Sequence, residues 1–357
     1  MKNKILLVTG GTGGHLFPAI SLAQEFKKQN INFEFIIDRK CEGHLKNYKM
    51  KCNVVFSSPI FFSLLKLPIS IIKIIIGFFQ STLLFLREHK KIKIIIGFGG
   101  YSCFPSLIAG YFLNIPIIIH EQNAIMGKAN RILSKFCHKT FISFRKTEKA
   151  PKNSKFTGIP VRKEFFVKKK FKVHYSSNKI NILILGGSQG AAVFSKIIPK
   201  ALSSLSSSEM SKIKVTQQAR ENEIESLSNT YKKIKLSTKI KKFFSNVALE
   251  MHKSDVIISR CGASTLAEIS ATEKFSILFP LPTSKDNHQF KNASEFSKSN
   301  SCIVMNENKF NSFDLTNLFK KIIKKPERFK NKLTTNPNTN IAKDIVTIIK
   351  NYKNVRY

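Results

Sequence analysis

The sequence predicts an α/β protein built from two doubly wound parallel sheets, one in each half of the chain. Three observations predict it. Short, continuous apolar runs alternate with helical patterns, glycine-rich turns stand where each half passes from strand to helix, and the same grammar restarts near residue 180.

In the first half, "KILLVTG", "INFEFIID", "IKIIIGFGG" and "IPIIIHEQN" read as strands, with helical pattern over Ala19 to Lys28 and Pro105 to Leu113 between them. Apolar runs without polar alternation are what a strand covered on both faces needs. The polar stretch "APKNSKFTGIPVRKEFF", Ala150 to Phe166, carries Pro151, Gly158 and Pro160 and reads as the end of one domain and the link to the next. Beyond it, "KINILILGGSQGAA" repeats the strand, glycine loop and helix start of "NKILLVTGGTGGHLFPA", and "KVTQQ", "DVIIS", "FSILFPLP" and "SCIVM" follow as further strands. The expected division is residues 1–161, residues 162–340, and a C-terminal helix over 341–357 returning to the first domain.

The 357 residues suffice for two cores of ordinary size, and 42% hydrophobic residues place the chain among folded globular proteins. A formal charge of +38 is compatible with nucleic acid, an anionic membrane surface or an acidic substrate. Lysine far outnumbers arginine, however, and Ile, Asn and Phe rise with it, so compositional bias accounts for most of the charge. Lysine clusters such as "VKKKFK" lack interleaved aromatic stacking motifs, and no nucleic-acid partner is expected. The six cysteines are scattered without zinc spacing, predicting free thiols and no metal. The N-terminal "ILLV" is too short for a signal-peptide core, predicting a protein that is not exported.

Glycines at a strand-to-helix turn let the backbone approach a ligand, and the helix that follows directs N–H groups and a partial positive charge at it. A phosphate is the expected guest. Three such loops occur, at Gly10 to Gly14, Gly97 to Ser102 and Gly186 to Gly190. A dinucleotide fingerprint fails, although Asp38 stands where a ribose acid would, because the third glycine position holds Leu16. No Gly-Lys-Ser/Thr closes a loop, which removes the P-loop reading.

Two Rossmann-like halves with glycine loops facing a cleft are the architecture of GT-B glycosyltransferases. The motifs "GGTGGHLFPA", "GFGGYSCFPSLIAG", "IPIIIHEQNAIMGKANRIL", "TGIPVR", "LGGSQGA", "SRCGASTLAEI" and "FPLPTSKDNHQFKNA" resemble, in order and over residues 8 to 293, those of the MurG family. The resemblance implies an inverting transfer: the 4-hydroxyl of a muramoyl sugar on a polyprenyl diphosphate (lipid I) attacks the anomeric carbon of UDP-GlcNAc, and UDP leaves. It implies no cofactor. No D-x-D occurs, so the diphosphate of the donor falls to helix termini and Arg162.

By the same resemblance, Glu268 accepts the ribose hydroxyls, Phe244 lies by the uracil largely through its backbone, Ser188 and the Gly186 to Gly190 amides with Ala263, Ser264, Thr265 and Leu266 hold the diphosphate, and Ala267 lies on the donor side. Thr12, Gly13, Gly14, Asn123 and Gln289 complete the donor side. Gly99, Gly100, Tyr101, Ser102 and His120 are acceptor-side candidates. His15 is a candidate general base, since imidazole titrates near working pH; it equally suits a phosphate ligand or helix cap. Glu121, with His120, is the secondary choice of base. His288 stands where the family more often has a first Gln, which bears on sugar-hydroxyl recognition.

The segment Pro59 to Arg87 is more apolar than the resemblance requires. It reads as a peripheral membrane face flanked by cations, as a spanning helix interrupted by Lys73 and Gln80, or as a buried core helix. An acceptor confined to the bilayer favours the first and implies the cytoplasmic face of the bacterial inner membrane. Another GT-B sugar-nucleotide transferase is the alternative activity.

Overall fold

The computed structural model describes residues 3–59, 66–166, 179–187, 191–309, 311–330 and 341–351. The chain forms two compact units, residues 1–162 with 340–357, and residues 163–339.

The first unit is a seven-stranded parallel sheet of β1 (Lys4–Thr9), β2 (Asn32–Ile37), β3 (Cys52–Val54), β4 (Ile92–Gly97), β5 (Ile117–Glu121), β6 (Lys139–Ile142) and β7 (Lys155–Phe156). Their spatial order is β3-β2-β1-β4-β5-β6-β7. Both faces are covered, as the unalternating apolar runs require. Ile5 and Leu7 of β1 enter a core with Leu16, Ile20 and Phe26 of the helix Gly13–Lys28 and with Ile345, Val346 and Ile349 of the helix Ile341–Lys350. Leu6 and Val8 point the other way, into a core with Phe85 and Leu107. Gly158, at φ +84°, lets the chain pass against Ile341 at the return of this last helix.

The second unit is a six-stranded parallel sheet of β8 (Ile180–Leu185), β9 (Ile213–Gln218), β10 (Thr238–Lys241), β11 (Val256–Ser259), β12 (Phe275–Leu278) and β13 (Cys302–Val304), in the order β10-β9-β8-β11-β12-β13. In each unit the strand order reverses once, between β1 and β4 and between β8 and β11. Loops leaving the C-terminal ends of adjacent strands diverge there, which opens a crevice for a ligand. Two of the three glycine loops leave β1 and β4 at the first reversal; the third leaves β8 at the second. All six cysteines are free thiols.

The helix Lys66–Glu88 docks through the fully buried Phe85 but leaves much of its apolar surface outside. Its small residues face inward: Ser70 and Ser81 are buried, and Ser81 Oγ lies 2.9 Å from Ser106 Oγ. A β-carbon on Gly77 would collide with the Phe56 carbonyl, so glycine permits the close approach. Ile69, Ile72, Ile76, Phe79, Leu83 and Leu86 lie on the outer face, 41% to 59% exposed. The reading as a wholly buried core helix therefore fails for Lys66–Glu88, because these six large apolar side chains are open to solvent.

Candidate functional site

At the reversal between β1 and β4, Asp38 fixes two glycine loops at once. Its Oδ2 accepts from Gly11 N at 2.7 Å and from Ser102 Oγ at 3.1 Å, while Oδ1 accepts from Cys41 N at 3.2 Å. The acid is thus spent on loop geometry, and Ser102 on the acid. Thr12 is the N-cap of the helix Gly13–Lys28 with extended backbone, and its hydroxyl makes no capping bond. Gly13 and Gly14 form the first turn, where the helix field favours an anion.

His15, half-buried in that turn, meets the second loop edge-on. A β-carbon at Gly99 would stand 3.3 Å from His15 Cε1, and one at Gly100 3.4 Å from Cδ2 and 3.2 Å from the Gly10 carbonyl oxygen. Both glycines have positive φ, +94° and +83°, so conformation and space each require glycine there. Tyr101 follows, half-buried, at the start of the next turn.

The segment after β5 supplies the rest of this cluster. His15 Nδ1 lies 2.8 Å from Gln122 Oε1, Gln122 Nε2 lies 3.0 Å from His120 Nδ1 and 2.9 Å from the His120 carbonyl oxygen, and His120 Nε2 lies 2.9 Å from the Gly158 carbonyl oxygen. Glu121, 1% exposed, has both oxygens occupied. Oε1 accepts from Asn123 N at 2.9 Å and Asn123 Nδ2 at 3.0 Å, and Oε2 from Gly127 N at 3.0 Å and Asn130 Nδ2 at 2.8 Å. A carboxylate with four donors around it is a scaffold for Asn123 and Asn130.

Burial lowers the His120 pKa from 6.5 to about 4, its bond to the Gly158 carbonyl opposing only in part. The unfolded chain therefore binds this proton more readily than the native one. Stability from the neutral ring is fully present above about pH 6.5 and is lost as pH falls toward 4, roughly 3 kcal/mol in all. Denaturant unfolding between pH 7 and pH 4 should show a shallower loss in His120→Gln than in the wild type; parallel curves would remove this assignment.

Arg162 is buried on the first unit, with Nη1 donating to Tyr48 Oη at 2.9 Å and the guanidinium 4.2 Å over the Phe17 ring. These contacts hold it beside the first turn of the helix Gly13–Lys28.

In the second unit the described chain reaches Gly187, at φ +79°, and Ser188 lies outside the described residues. The helix Ala263–Thr272 opens at the reversal between β8 and β11, with Gly262 as N-cap and no side-chain cap. Ala263, Ser264 and Leu266 are buried, Thr265 and Ala267 half-buried, and Glu268 is 8% exposed one turn further in. Gln289 Oε1 accepts from Cys261 N at 3.0 Å and Leu281 N at 3.1 Å, stapling the loops after β11 and β12. His288 Nδ1 is 2.8 Å from the Lys285 carbonyl oxygen, following two residues, Asp286 and Asn287, in left-handed backbone. Phe244 is half-buried, with Lys239 Nζ 5.7 Å from its ring centre.

The structure therefore brings His15, Gly99, Gly100, Ser102, His120, Glu121 and Asn123 together on the first unit, and Ala263 to Glu268 with Gln289 on the second. Sequence reasoning missed Gln122 and Asn130, and it gave Asp38 no role once the dinucleotide fingerprint failed. Gln122 stands inside the quoted "HEQN", yet nothing local distinguishes its side chain.

Comparisons with known proteins cover both units. Residues 5–142 match the glycosyltransferase family 28 N-terminal domain and residues 181–349 the family 28 C-terminal domain. The chain is 34% identical over 352 residues, 97% of each protein, to the UDP-N-acetylglucosamine--N-acetylmuramyl-(pentapeptide) pyrophosphoryl-undecaprenol N-acetylglucosamine transferase of Wolbachia sp. subsp. Drosophila simulans (strain wRi). It is 36% identical over 317 residues to the protein of that name from Rickettsia canadensis (strain McKiel), covering 85% of this chain and 86% of that one. The crystal structure of Acinetobacter baumannii MurG shares the fold, with TM-score 0.75 and 22% identity over 98% of this chain and 99% of that one. The chain thus belongs to glycosyltransferase family 28 and, within it, to the MurG family of N-acetylglucosamine transferases.

Proposed function

We infer that the chain is a UDP-GlcNAc-dependent hexosyltransferase of peptidoglycan synthesis. It moves GlcNAc to the 4-hydroxyl of the MurNAc of undecaprenyl-diphospho-MurNAc-pentapeptide, lipid I, to give lipid II. The observation that carries this is the end-to-end relation to the transferases of that name, at 34% identity over 97% of both chains. In the reaction the acceptor oxygen bonds to the anomeric carbon as the bond to the UDP oxygen breaks, and UDP leaves with that electron pair. The hydroxyl proton must go to a base. His15 suits the role better than Glu121, whose oxygens are already committed to four donors.

On the donor side we assign Glu268 to the ribose hydroxyls and the first turn of the helix Ala263–Thr272 to the diphosphate, where aligned N–H groups favour negative charge. Gln289 Nε2 is assigned to a sugar hydroxyl. Thr12, Gly13, Gly14, Asn123, Ser188, Phe244 and Arg162 are proposed as further donor contacts, and Gly99, Gly100, Tyr101, Ser102 and His120 as the acceptor side. The enzyme is bacterial and acts on a membrane-linked lipid substrate. Its finer location we assign to the cytoplasmic face of the inner membrane, held peripherally by the helix Lys66–Glu88, whose apolar outer face carries exposed Lys73 and Arg87 on the same helix.

UDP-GlcNAc at a hundred times its Kd should stabilise the folded chain by about 2.7 kcal/mol, read as a rise in Tm. Glu268→Ala should abolish most of that rise. An equal rise in both proteins would sink the ribose assignment, and no rise with the wild type would sink the donor itself.

A further inference from the structure

We propose that Gln122 is a positioning residue that holds His15 in its Nδ1–H tautomer, so that the Nε2 lone pair is the one presented to the acceptor hydroxyl. The inference rests on the reading of His15 as base. It follows from hydrogen-bond polarity along a chain of three side chains.

The chain starts at the Gly158 carbonyl oxygen, which can only accept. His120 Nε2, 2.9 Å away, must therefore carry the hydrogen. The ring is 1% exposed and burial keeps it neutral, so Nδ1 carries none and is an acceptor. The amide nitrogen of Gln122 faces this Nδ1 at 3.0 Å and the His120 carbonyl oxygen at 2.9 Å. Two acceptors on one side of the amide fix which end is nitrogen; the reversed amide would set oxygen against two lone pairs.

Gln122 Oε1 is then turned to His15 Nδ1 at 2.8 Å, and an amide oxygen can only accept. His15 Nδ1 must donate. In a neutral imidazole that leaves Nε2 unprotonated. The Nε2 edge of the ring is the one beside Gly100, where a β-carbon would come within 3.8 Å, so the basic nitrogen lies against the second glycine loop. Gln122 is itself 1% exposed, which excludes water as a competing partner and makes the polarity of the relay strict.

Nitrogen-15 NMR of histidine-labelled protein at about pH 8.5, where imidazoles are neutral, reads the tautomer directly. The wild type should show Nδ1–H at His15 and Nε2–H at His120. Nε2–H at His15 in the wild type overturns the proposal without any variant being made. Gln122→Met keeps the side-chain length but removes both hydrogen-bonding ends. It should move His15 toward Nε2–H and lower kcat by roughly 10- to 100-fold, less than the about 10² to 10⁴ expected when the base itself is removed, with KM for UDP-GlcNAc unchanged. A folded Gln122→Met protein that retains the Nδ1–H tautomer overturns the relay. Loss of the tautomer with kcat intact instead removes His15 as the base.

Discussion

His15→Ala is expected to lower kcat by about 10² to 10⁴ while leaving the affinity for UDP-GlcNAc nearly unchanged. A general base acts on the proton that leaves in the transition state, so its loss should appear in kcat, and in kcat/KM by the same factor. A phosphate ligand would behave differently. It would hold UDP-GlcNAc and the departing UDP alike, and its loss would weaken donor binding as much as it slowed the reaction. Titration calorimetry with UDP-GlcNAc beside the steady-state rate separates the two. Equal losses in affinity and rate would return His15 to the helix N-terminus as an anion ligand and leave the base unassigned. The position supports the first outcome, because the ring contacts Gln122 and lies against the 99–100 turn.

The sheets were legible in the sequence where a buried strand carries a long apolar run, but the interior strand Lys139–Ile142, with its short "KTFI", was not read. "KILLVT" and "IIIHE" leave no polar alternation, and this is the pattern that cores on two sides impose. Three of the four edge strands were not legible, the exception being Cys302–Val304, read from "SCIVM". Cys52–Val54, Lys155–Phe156 and Thr238–Lys241 run two to four residues, with exposed or half-exposed side chains, and carry no apolar run to detect.

The loops were legible for a related reason, since positive φ and close approach restrict Gly99 and Gly100 to glycine. The side chains that organise those loops were hidden because their partners are distant in sequence. His15 and Gln122 are separated by 107 positions and Ser102 and Asp38 by 64. Arg162 illustrates the limit of a motif. "TGIPVR" marked a cation for a diphosphate, and the structure adds contacts to Tyr48 and Phe17 that no local pattern announces. The helix Lys66–Glu88 shows the converse. Ser70, Gly77 and Ser81 interrupt its apolar run in sequence, and they let it approach the domain on which Phe85 anchors it.

That docking leads to the second large effect. Replacing Ile72, Phe79 and Leu83 together by serine is expected to release the protein from anionic vesicles while leaving its Tm nearly unchanged. The three side chains are 56%, 59% and 58% exposed, so the folded domain gains little from them, whereas a bilayer interface would cover what remains open. Full burial of such a side chain contributes about 1.5–3 kcal/mol, and the uncovered half about 1 kcal/mol. Three of them amount to roughly 3 kcal/mol, or about a hundredfold in partitioning. Lys73, Arg87 and Lys90 are exposed on or just beyond the same helix and should add an attraction that grows with anionic lipid and falls with salt. Flotation at low and high salt, followed by carbonate extraction, tests the arrangement. The helix has the length and composition to cross a bilayer, and retention of the wild type after carbonate would mean that it does so. Its inward face is tied to the helix Cys103–Phe112 through Ser81 and Ser106, and crossing would require that contact to open. Release by carbonate is therefore the expected result, and a wild type that fails to float at low salt would mean that the apolar face meets something other than lipid.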